Sequence, residues 1–257
     1  MCIIAWNWQP HGTTPLLLLS NRDEFYARAA QPLHWWDGPA GQPQILAGKD
    51  LQAGGTWLGV SRSGRLAALT NFRTPEPVRT DTPSRGELVA DFLHNDIPAD
   101  AFLQQLALQA SHYNPFNLLV YDGLQLMGLE SQSARVVPLK PGIGAVSNAN
   151  FHTPWPKLTR LVQGLESQVA LGHSTAPLLL PLLQDRHMAA DSDLPHTGVP
   201  LPLERMLSAT FITSPTYGTR ACSVVAIQSN HVDFTEQRFD AQGSMGQSHQ
   251  QFVPRPL

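Results

Sequence analysis

Cys2 is the first residue of this sequence that offers a reactive group. It stands directly behind the initiator methionine and opens an apolar, β-prone run over residues 2–8. Removal of Met1 would leave a thiol and a free α-amine on one residue. A thiolate is a strong nucleophile, and an α-amine with a pKa of about 7.7–8.0 can accept its proton near neutral pH. Cys2 therefore suits N-terminal nucleophile chemistry; the alternative is a cysteine that packs as a small apolar side chain.

A run of four leucines and Ser20 is followed by four further polar residues, Asn21, Arg22, Asp23 and Glu24. Side chains alternate along a strand, so Asn21 and Asp23 share one face while Arg22 and Glu24 share the other. If this strand lies beside the one that begins at Cys2, a carboxylate on the proper face can orient the new α-amine. The alternative is a solvated edge strand that carries a surface Arg22–Glu24 pair.

Further polar residues stand at the ends of predicted strands. Asn71 and Asn148 each close an apolar run, and an asparagine amide supplies the neutral N–H donors that suit an oxyanion hole. Their alternative role is simply to end a strand and begin a turn. Arg220 opens an apolar strand, where it either stabilises a thiolate or caps a sheet edge. Cys222, inside that strand, is predicted to be a buried, inert thiol.

Composition limits the classes of function. The chain has 257 residues and a net charge of −3, which gives no reason to expect nucleic acid or an anionic membrane surface as a partner. Two cysteines make no disulfide framework and favour a cytoplasmic location. The leucine run at 16–19 is too short for stable membrane insertion. The ten histidines lack metal-site spacing and no phosphate or dinucleotide loop is present, so neither a metal nor a cofactor is predicted.

The patterns predict strands and helices in alternating groups. A hairpin over 2–8 and 16–22 is followed by a packed loop at 28–41. Further strands are predicted at 56–61, 65–71, 117–121, 125–130, 135–139, 143–148, 211–214, 221–228 and 231–238. Helices are predicted from Ser84, from Asp100, from Thr153 to Gly172, and near 178–183, with a connection at 187–202. This order favours helix–sheet–sheet–helix packing in a single domain over 1–257, with a frayed tail after about residue 240.

Several short motifs together resemble the NRDE family, which is the family of the transport-and-Golgi-organisation proteins. The motifs are Met1-Cys2-Ile3, Asn21-Arg22-Asp23-Glu24, Thr70-Asn71-Phe72-Arg73, Ser84-Arg85-Gly86, Ser147-Asn148-Ala149, Thr153-Pro154-Trp155-Pro156-Lys157 and Tyr217-Gly218-Thr219-Arg220. They extend over nearly the whole chain. That family is in turn similar to cysteine N-terminal nucleophile hydrolases, namely choloylglycine hydrolases, penicillin V acylases and acyl-CoA-dependent penicillin acyltransferases.

The resemblance implies an α+β fold, a four-layer αββα sandwich, and a set of site residues. Cys2 is then the nucleophile after loss of the initiator methionine, and Asp23 matches the aspartate that holds the α-amine. Asn71 and Asn148 match the two asparagines near the oxyanion, and Arg220 matches the late arginine beside the thiolate. Beside the residues that the resemblance implies, the polar run itself predicts that Asn21, Arg22 and Glu24 support the site.

One position departs from the pattern of those hydrolases. They carry an arginine three residues before the aspartate, whereas Ser20 stands there in this chain and the arginine is Arg22. The first hypothesis is an N-terminal-cysteine hydrolase or acyltransferase that acts on a small amide or thioester through an acyl-Cys2 intermediate.

The second hypothesis is a non-catalytic carrier on the same scaffold. The arginine missing from position 20 motivates it, and the family is also linked to lipid and acyl-CoA metabolism and to haem handling. Such a carrier would hold haem or a fatty-acyl or acyl-CoA ligand, with Trp35, Trp36 and Trp57 lining an apolar pocket.

Overall fold

The computed structural model describes residues 2–36 and 44–255. Over these residues the chain forms thirteen strands and five α-helices. The strands are β1 (Cys2–Trp8), β2 (Leu16–Phe25), β3 (Ala30–Trp35), β4 (Ile45–Asp50), β5 (Leu58–Ser61), β6 (Leu66–Asn71), β7 (Phe116–Tyr121), β8 (Leu126–Glu130), β9 (Arg135–Pro138), β10 (Gly142–Val146), β11 (Tyr217–Ile227), β12 (Val232–Asp240) and β13 (Gly243–Phe252). The helices are α1 (Arg85–His94), α2 (Ala99–Ala107), α3 (Pro156–Ala170), α4 (Ala176–Leu183) and α5 (Leu201–Leu207).

The strands form two antiparallel sheets. Strands β3 to β9 follow one another in chain order in the larger sheet. The smaller sheet has the order β10-β1-β2-β11-β12-β13, so distant parts of the chain flank the hairpin of β1 and β2. Cys2 lies directly opposite Arg22 in this hairpin. On the other side of β2, Thr219 of β11 lies opposite Asp23.

The hairpin of β1 and β2 is apolar along most of its length because both of its faces are covered. Even-numbered residues such as Ile4 and Leu18 lie in the core between the two sheets. Odd-numbered residues such as Ile3 and Leu19 pack in a second core against α3 and α4. A third core joins the larger sheet to α1 and α2. The layers are helix, sheet, sheet and helix, which confirms the predicted α+β, four-layer αββα fold.

The prediction of a packed loop over 28–41 is wrong for its described part. Residues Ala30–Trp35 form β3, which pairs with β4, a strand that has no counterpart among the predicted ones. A bulge between Gln31 and His34 shifts the pairing, so the side chains of β3 do not alternate regularly. Residues 37–41 of the predicted loop lie outside the described residues.

The prediction of a frayed tail after residue 240 is also wrong. Strand β13 pairs with β12 from Gly243 to Phe252. Phe252 is buried, and its ring centroid lies 4.9 Å from that of Trp35 in an edge-on contact. Most other side chains of β13 are exposed because it is an edge strand. Its sequence therefore lacks the apolar period from which a strand is predicted.

Two smaller differences concern the last third of the chain. The predicted strand at 211–214 is reduced to one isolated bridge between Thr213 and Gly218. The predicted connection at 187–202 runs into α5, a short helix with no predicted counterpart. No helix in the described ranges has both the length and the apolar composition needed to cross a bilayer.

Candidate active site

A cavity of about 450 Å³ opens at the end of the two sheets where β1 begins. Its walls come from the start of β1, the ends of β2, β4 and β6, the first turn of α1 and the loop that precedes α1. The lining includes Cys2, Arg22, Glu24, Asp50, Trp57, Asn71, Arg79 and Arg85. Within residues 2–36 and 44–255, no three His, Cys, Asp or Glu side chains are grouped as metal ligands would be. The cavity thus combines a thiol with charged and amide side chains.

Cys2 lies at the edge of this cavity with 7% of its surface exposed. Burial raises the pKa of its thiol above the ordinary value, because a thiolate is poorly solvated there. The positive charge of Arg22 and a hydrogen bond from the backbone N–H of Asp23 act in the opposite direction on this pKa. The thiol therefore needs a base to become a nucleophile at neutral pH.

Asp23 lies one residue beyond the strand partner of Cys2, on the face of the smaller sheet that packs against the helices. It is 1% exposed, and its Oδ1 accepts a hydrogen bond of 2.7 Å from the hydroxyl of Thr219. Burial raises the pKa of this carboxyl, while the charge of Lys157 and the Thr219 hydroxyl favour the ionised form. The expected adjacency of the Asp23 strand and the Cys2 strand is present in the structure.

The neighbours of Asp23 in the same motif have different surroundings. Asn21 is fully buried, and its Nδ2 donates hydrogen bonds of 2.8 Å to the backbone oxygens of Leu183 and Thr210. Asn21 thus anchors β2 to the helical layer and does not line the cavity. Glu24 lines the cavity, and its Oε1 accepts a hydrogen bond from the backbone N–H of Phe25.

Arg22 faces the cavity beside Cys2. Its Nη2 lies 2.7 Å from Oδ2 of Asp50, and its guanidinium lies 4.4 Å from the centroid of the Trp57 ring. Arg28 also binds Asp50, with its Nε 2.7 Å from Oδ2. These contacts hold the Arg22 guanidinium on the same face of the sheet as the Cys2 thiol. The alternative of a surface Arg22–Glu24 pair is wrong, because Arg22 is buried and pairs with Asp50.

The two asparagines predicted for the oxyanion hole lie next to each other. Asn71, at the end of β6, lines the cavity and is half-buried. Asn148 is fully buried, and its Nδ2 donates a hydrogen bond of 2.8 Å to the backbone oxygen of Asn71. The hydroxyl of Ser147 lies 3.2 Å from the backbone oxygen of Cys2. Ser147 and Asn148 therefore connect the ends of β10, β1 and β6 behind the cavity.

Arg220 does not lie where the sequence prediction put it. Its Nη1 donates to the backbone oxygens of Phe25, Tyr26 and Arg28, and its Nε donates to that of Phe239. It does not line the cavity. Arg220 holds the turn after β2, so the alternative role of capping a sheet edge describes its position better than contact with the thiol.

The three tryptophans proposed for an apolar pocket do not line one common cavity. Trp57 lines the cavity. Trp35 packs on Phe252 instead, and Trp36 donates its indole N–H to the backbone oxygen of Ala47 in the core beneath α1. The predicted apolar pocket of three tryptophans is therefore wrong.

Lys157 is the residue that the sequence prediction missed most clearly. It lies in the first turn of α3, is 3% exposed, and its Nζ has no hydrogen-bond partner among the described residues. Burial lowers the pKa of its ammonium to about 8, and the charges of Asp23 and Cys2 favour the protonated form. A lysine is ordinarily exposed, so the residue type does not predict that Lys157 is buried at the site. Its place in one of the family motifs is the only indication in the sequence that it has a role there.

Known proteins resemble this chain in sequence and in fold. The chain matches the family model for Transport and Golgi organisation 2 over residues 1–241. The Transport and Golgi organization protein 2 homolog of Bos taurus is 34% identical over 259 residues, which are 92% of each chain. Transport and Golgi organization protein 2 of Drosophila melanogaster is 30% identical over 284 residues, with 97% of each chain covered.

Among solved structures, the C2A mutant of conjugated bile acid hydrolase from Clostridium perfringens superposes with a TM-score of 0.53. The two chains are 9% identical, and 98% of this chain and 92% of that chain are covered. At this identity the likeness concerns the fold alone, which is that of an N-terminal nucleophile hydrolase. Because the family model covers nearly the whole sequence and both relatives match over almost their full lengths, this chain belongs to the Transport and Golgi organisation 2 family.

Proposed function

We propose that this protein is an N-terminal-cysteine hydrolase or acyltransferase that acts on a small amide or thioester through an acyl-Cys2 intermediate. The observation that carries the proposal is the position of Cys2. Cys2 lines a cavity at the start of β1, where its strand partner is Arg22 and the residue after that partner is Asp23. The hydrolase fold supports it further, because the bile acid hydrolase also has a cysteine at its second position, the residue replaced in its C2A mutant.

The reaction begins after removal of Met1. The α-amine of Cys2 takes the thiol proton, and the sulfur attacks the carbonyl carbon of the substrate to give a tetrahedral oxyanion. The carbon–nitrogen or carbon–sulfur bond then breaks, and the ammonium returns its proton to the departing amine or thiol. Water or an acceptor amine or thiol attacks the acyl-Cys2 thioester in the same way and releases the free thiol.

The surrounding residues have separate roles in this proposal. Asp23 orients the α-amine, since its buried carboxylate lies beside the strand partner of Cys2. Asn71 donates its amide N–H to the oxyanion, and Asn148 positions Asn71 through the bond to its backbone oxygen. Arg22 takes the role first assigned to Arg220, because its charge acts directly on the Cys2 thiol.

The test is mass spectrometry of the purified protein before and after treatment with a β-lactone acyl probe. The intact mass shows whether Met1 is absent, and peptide mapping shows which cysteine carries the acyl group. Cys222 is an internal control because it is fully buried and its thiol pKa is raised well above the ordinary value by burial. Cys2→Ala is the matched variant, since alanine also permits removal of Met1.

The proposal requires that Met1 is absent and that the probe labels Cys2 and not Cys222. Retained Met1, or an inert Cys2 in a folded protein whose denatured form labels normally, would contradict it. The non-catalytic carrier would then be the better hypothesis, and saturable binding of haem or acyl-CoA that survives Cys2→Ala would support it.

A further inference from the structure

The motif Ser84-Arg85-Gly86 has a clear structural role at two of its three positions. Ser84 caps α1, and its Oγ accepts a hydrogen bond of 3.3 Å from the backbone N–H of Gly86. The backbone oxygen of Gly86 accepts a bond of 3.1 Å from the N–H of Thr56. A Cβ on Gly55 would lie 2.4 Å from the carbonyl carbon of Gly86, so the two backbones are in direct contact. The serine and the glycine therefore fix the start of α1 against the wall of the cavity.

Arg85, between them, has no comparable structural partner. It lines the cavity that contains Cys2, and its Nη1 donates a hydrogen bond of 3.0 Å to the backbone oxygen of Pro115. Among the described residues no carboxylate forms an ion pair with it. Burial lowers the pKa of this guanidinium, and the negative charges of a Cys2 thiolate and of Glu24, both of which line the same cavity, oppose that effect. A partly buried cation without an acid is costly unless an anion joins it.

The other arginines of the cavity divide into two kinds. Arg22 and Arg28 both bind Asp50 and are compensated. Arg79 resembles Arg85, because its Nη2 donates to the backbone oxygens of Ser111 and Tyr113.

Arg79 lines the same cavity and is exposed. Its backbone N–H is held by Oδ1 of Asn114, 2.9 Å away. Arg79 and Arg85 are thus two arginines of the cavity lining whose guanidinium groups bind backbone oxygens of residues 111–115, and neither forms an ion pair among the described residues.

We propose that Arg85, assisted by Arg79, binds an anionic group of the substrate, a carboxylate or a phosphate, while the acyl carbon of that substrate lies at Cys2. This inference rests on the proposed acyl-Cys2 chemistry and specifies its substrate class. A guanidinium suits either anion because it presents paired N–H donors in a plane. The anion compensates the positive charges of Arg85 and Arg79. It also holds the substrate so that its acyl carbon faces the Cys2 sulfur.

The test compares two alkylating reagents of similar size at Cys2, iodoacetate and iodoacetamide. Both form a sulfur–carbon bond with loss of iodide, and only iodoacetate carries a negative charge. The ratio of their rate constants at one pH cancels any change in the fraction of thiolate. The protein is used as its full chain, and alkylation of Cys2 is followed by peptide mass spectrometry.

The expected result is an iodoacetate-to-iodoacetamide ratio in the native protein that exceeds the ratio for Cys2 in denatured protein by at least about threefold. Arg85→Gln should bring the ratio close to that of the denatured protein, Arg79→Gln should lower it less, and Arg85→Lys should restore most of it. Arg135→Gln is the matched control, since Arg135 is an exposed arginine paired with Glu130 outside the cavity.

The ratio decides the proposal. An equal ratio in native and denatured protein, or one unchanged by Arg85→Gln, overturns the anion site while leaving Cys2 as a nucleophile. An inert Cys2 toward both reagents instead overturns the proposed function. Competition by inorganic phosphate or by propionate at equal ionic strength identifies the anion: slower alkylation with phosphate assigns a phosphate, and slower alkylation with propionate assigns a carboxylate.

Discussion

Asn148 donates a hydrogen bond of 2.8 Å from its Nδ2 to the backbone oxygen of Asn71. The two asparagines are therefore in contact, but they differ in burial and in their position relative to the cavity. Asn148 is fully buried behind the cavity, whereas Asn71 is half-buried at its wall. The sequence presents them as equivalent strand-end residues. In the structure, Asn148 holds the backbone of Asn71 in place from behind the cavity, and Asn71 itself lines the cavity where a substrate would bind.

This difference in position predicts that alanine substitutions of the two asparagines affect different properties, namely stability for Asn148 and the rate of acylation for Asn71. Asn148→Ala removes buried hydrogen bonds and should lower the free energy of unfolding by about 1–3 kcal/mol. Asn71→Ala should change stability little and should slow acylation of Cys2 by about a hundredfold, the usual effect of removing an oxyanion donor. Urea denaturation and the rate of β-lactone labelling measure the two quantities. Equal effects of both variants on stability would contradict the assignment.

Arg22 and Arg220 should differ in their effects on the thiol of Cys2. Arg22→Gln removes a positive charge that favours the thiolate, so the midpoint of the pH dependence of iodoacetamide alkylation should move to higher pH. Arg22→Lys keeps the charge and should move it less. Arg220→Gln should leave the midpoint unchanged and lower stability, because its four backbone contacts are lost. A shifted midpoint in the Arg220 variant would contradict this prediction.

The buried carboxyl of Glu236 should make the stability of the folded protein depend on pH. It is 1% exposed between the sheets, its Oε1 accepts a hydrogen bond from the N–H of Leu33, and burial raises its pKa to about 7. The folded state retains the proton that the unfolded chain loses near pH 4.5. Stability should therefore fall as the pH rises from about 4.5 to 7, by about 3 kcal/mol in total, and this contribution is constant outside that window.

Glu236→Gln should abolish this component. The variant should gain about 3 kcal/mol relative to the native protein between pH 4 and pH 8, measured by urea denaturation at both values. Glu166→Gln is a suitable control because Glu166 lies on the exposed side of α3. A difference in stability between the Glu236 variant and the native protein that is the same at pH 4 and pH 8 would contradict the prediction.

Phe252 tests whether the last strand is part of the fold. Phe252→Ala should lower the free energy of unfolding by about 3 kcal/mol, because its ring lies in the core between the sheets and packs against Trp35. Val253→Ala is the neighbouring control; its side chain is 68% exposed and the change should stay within about 0.5 kcal/mol. A frayed tail would make the two variants indistinguishable.

The sequence predicted most of the central fold and part of the site, for identifiable reasons. The β1–β2 hairpin is predictable because both strands are apolar and separated by a short turn-rich segment. Its register brings Cys2 and Arg22 together and places Asp23 on the opposite face, as alternation requires. The family resemblance was confirmed for the Transport and Golgi organisation 2 family, and it extended this local pattern to the αββα arrangement.

The failures have equally local causes. Arg220 lies at a bulge, where the register against β2 shifts between Thr219 and Ala221, so alternation along β11 does not predict its direction. Lys157 is buried by α3 packing on the sheet, which a helical period does not reveal for a lysine. Strand β13 is held mainly by backbone hydrogen bonds to β12. Such bonds do not depend on side-chain type, so the mostly exposed side chains of β13 do not show the alternation from which a strand is predicted.

The bond between Thr219 and Asp23 joins residues 196 positions apart, and it holds the residue that follows the strand partner of Cys2. Such a contact carries the loop-closure entropy of a long segment, and contacts of this range slow folding. The Cys2 site therefore depends on strands from both ends of the chain, and a fragment that lacks β11 cannot contain this bond. A destabilising substitution anywhere in either sheet will remove the Cys2 site in proportion to the fraction of molecules unfolded, even when it lies far from the cavity.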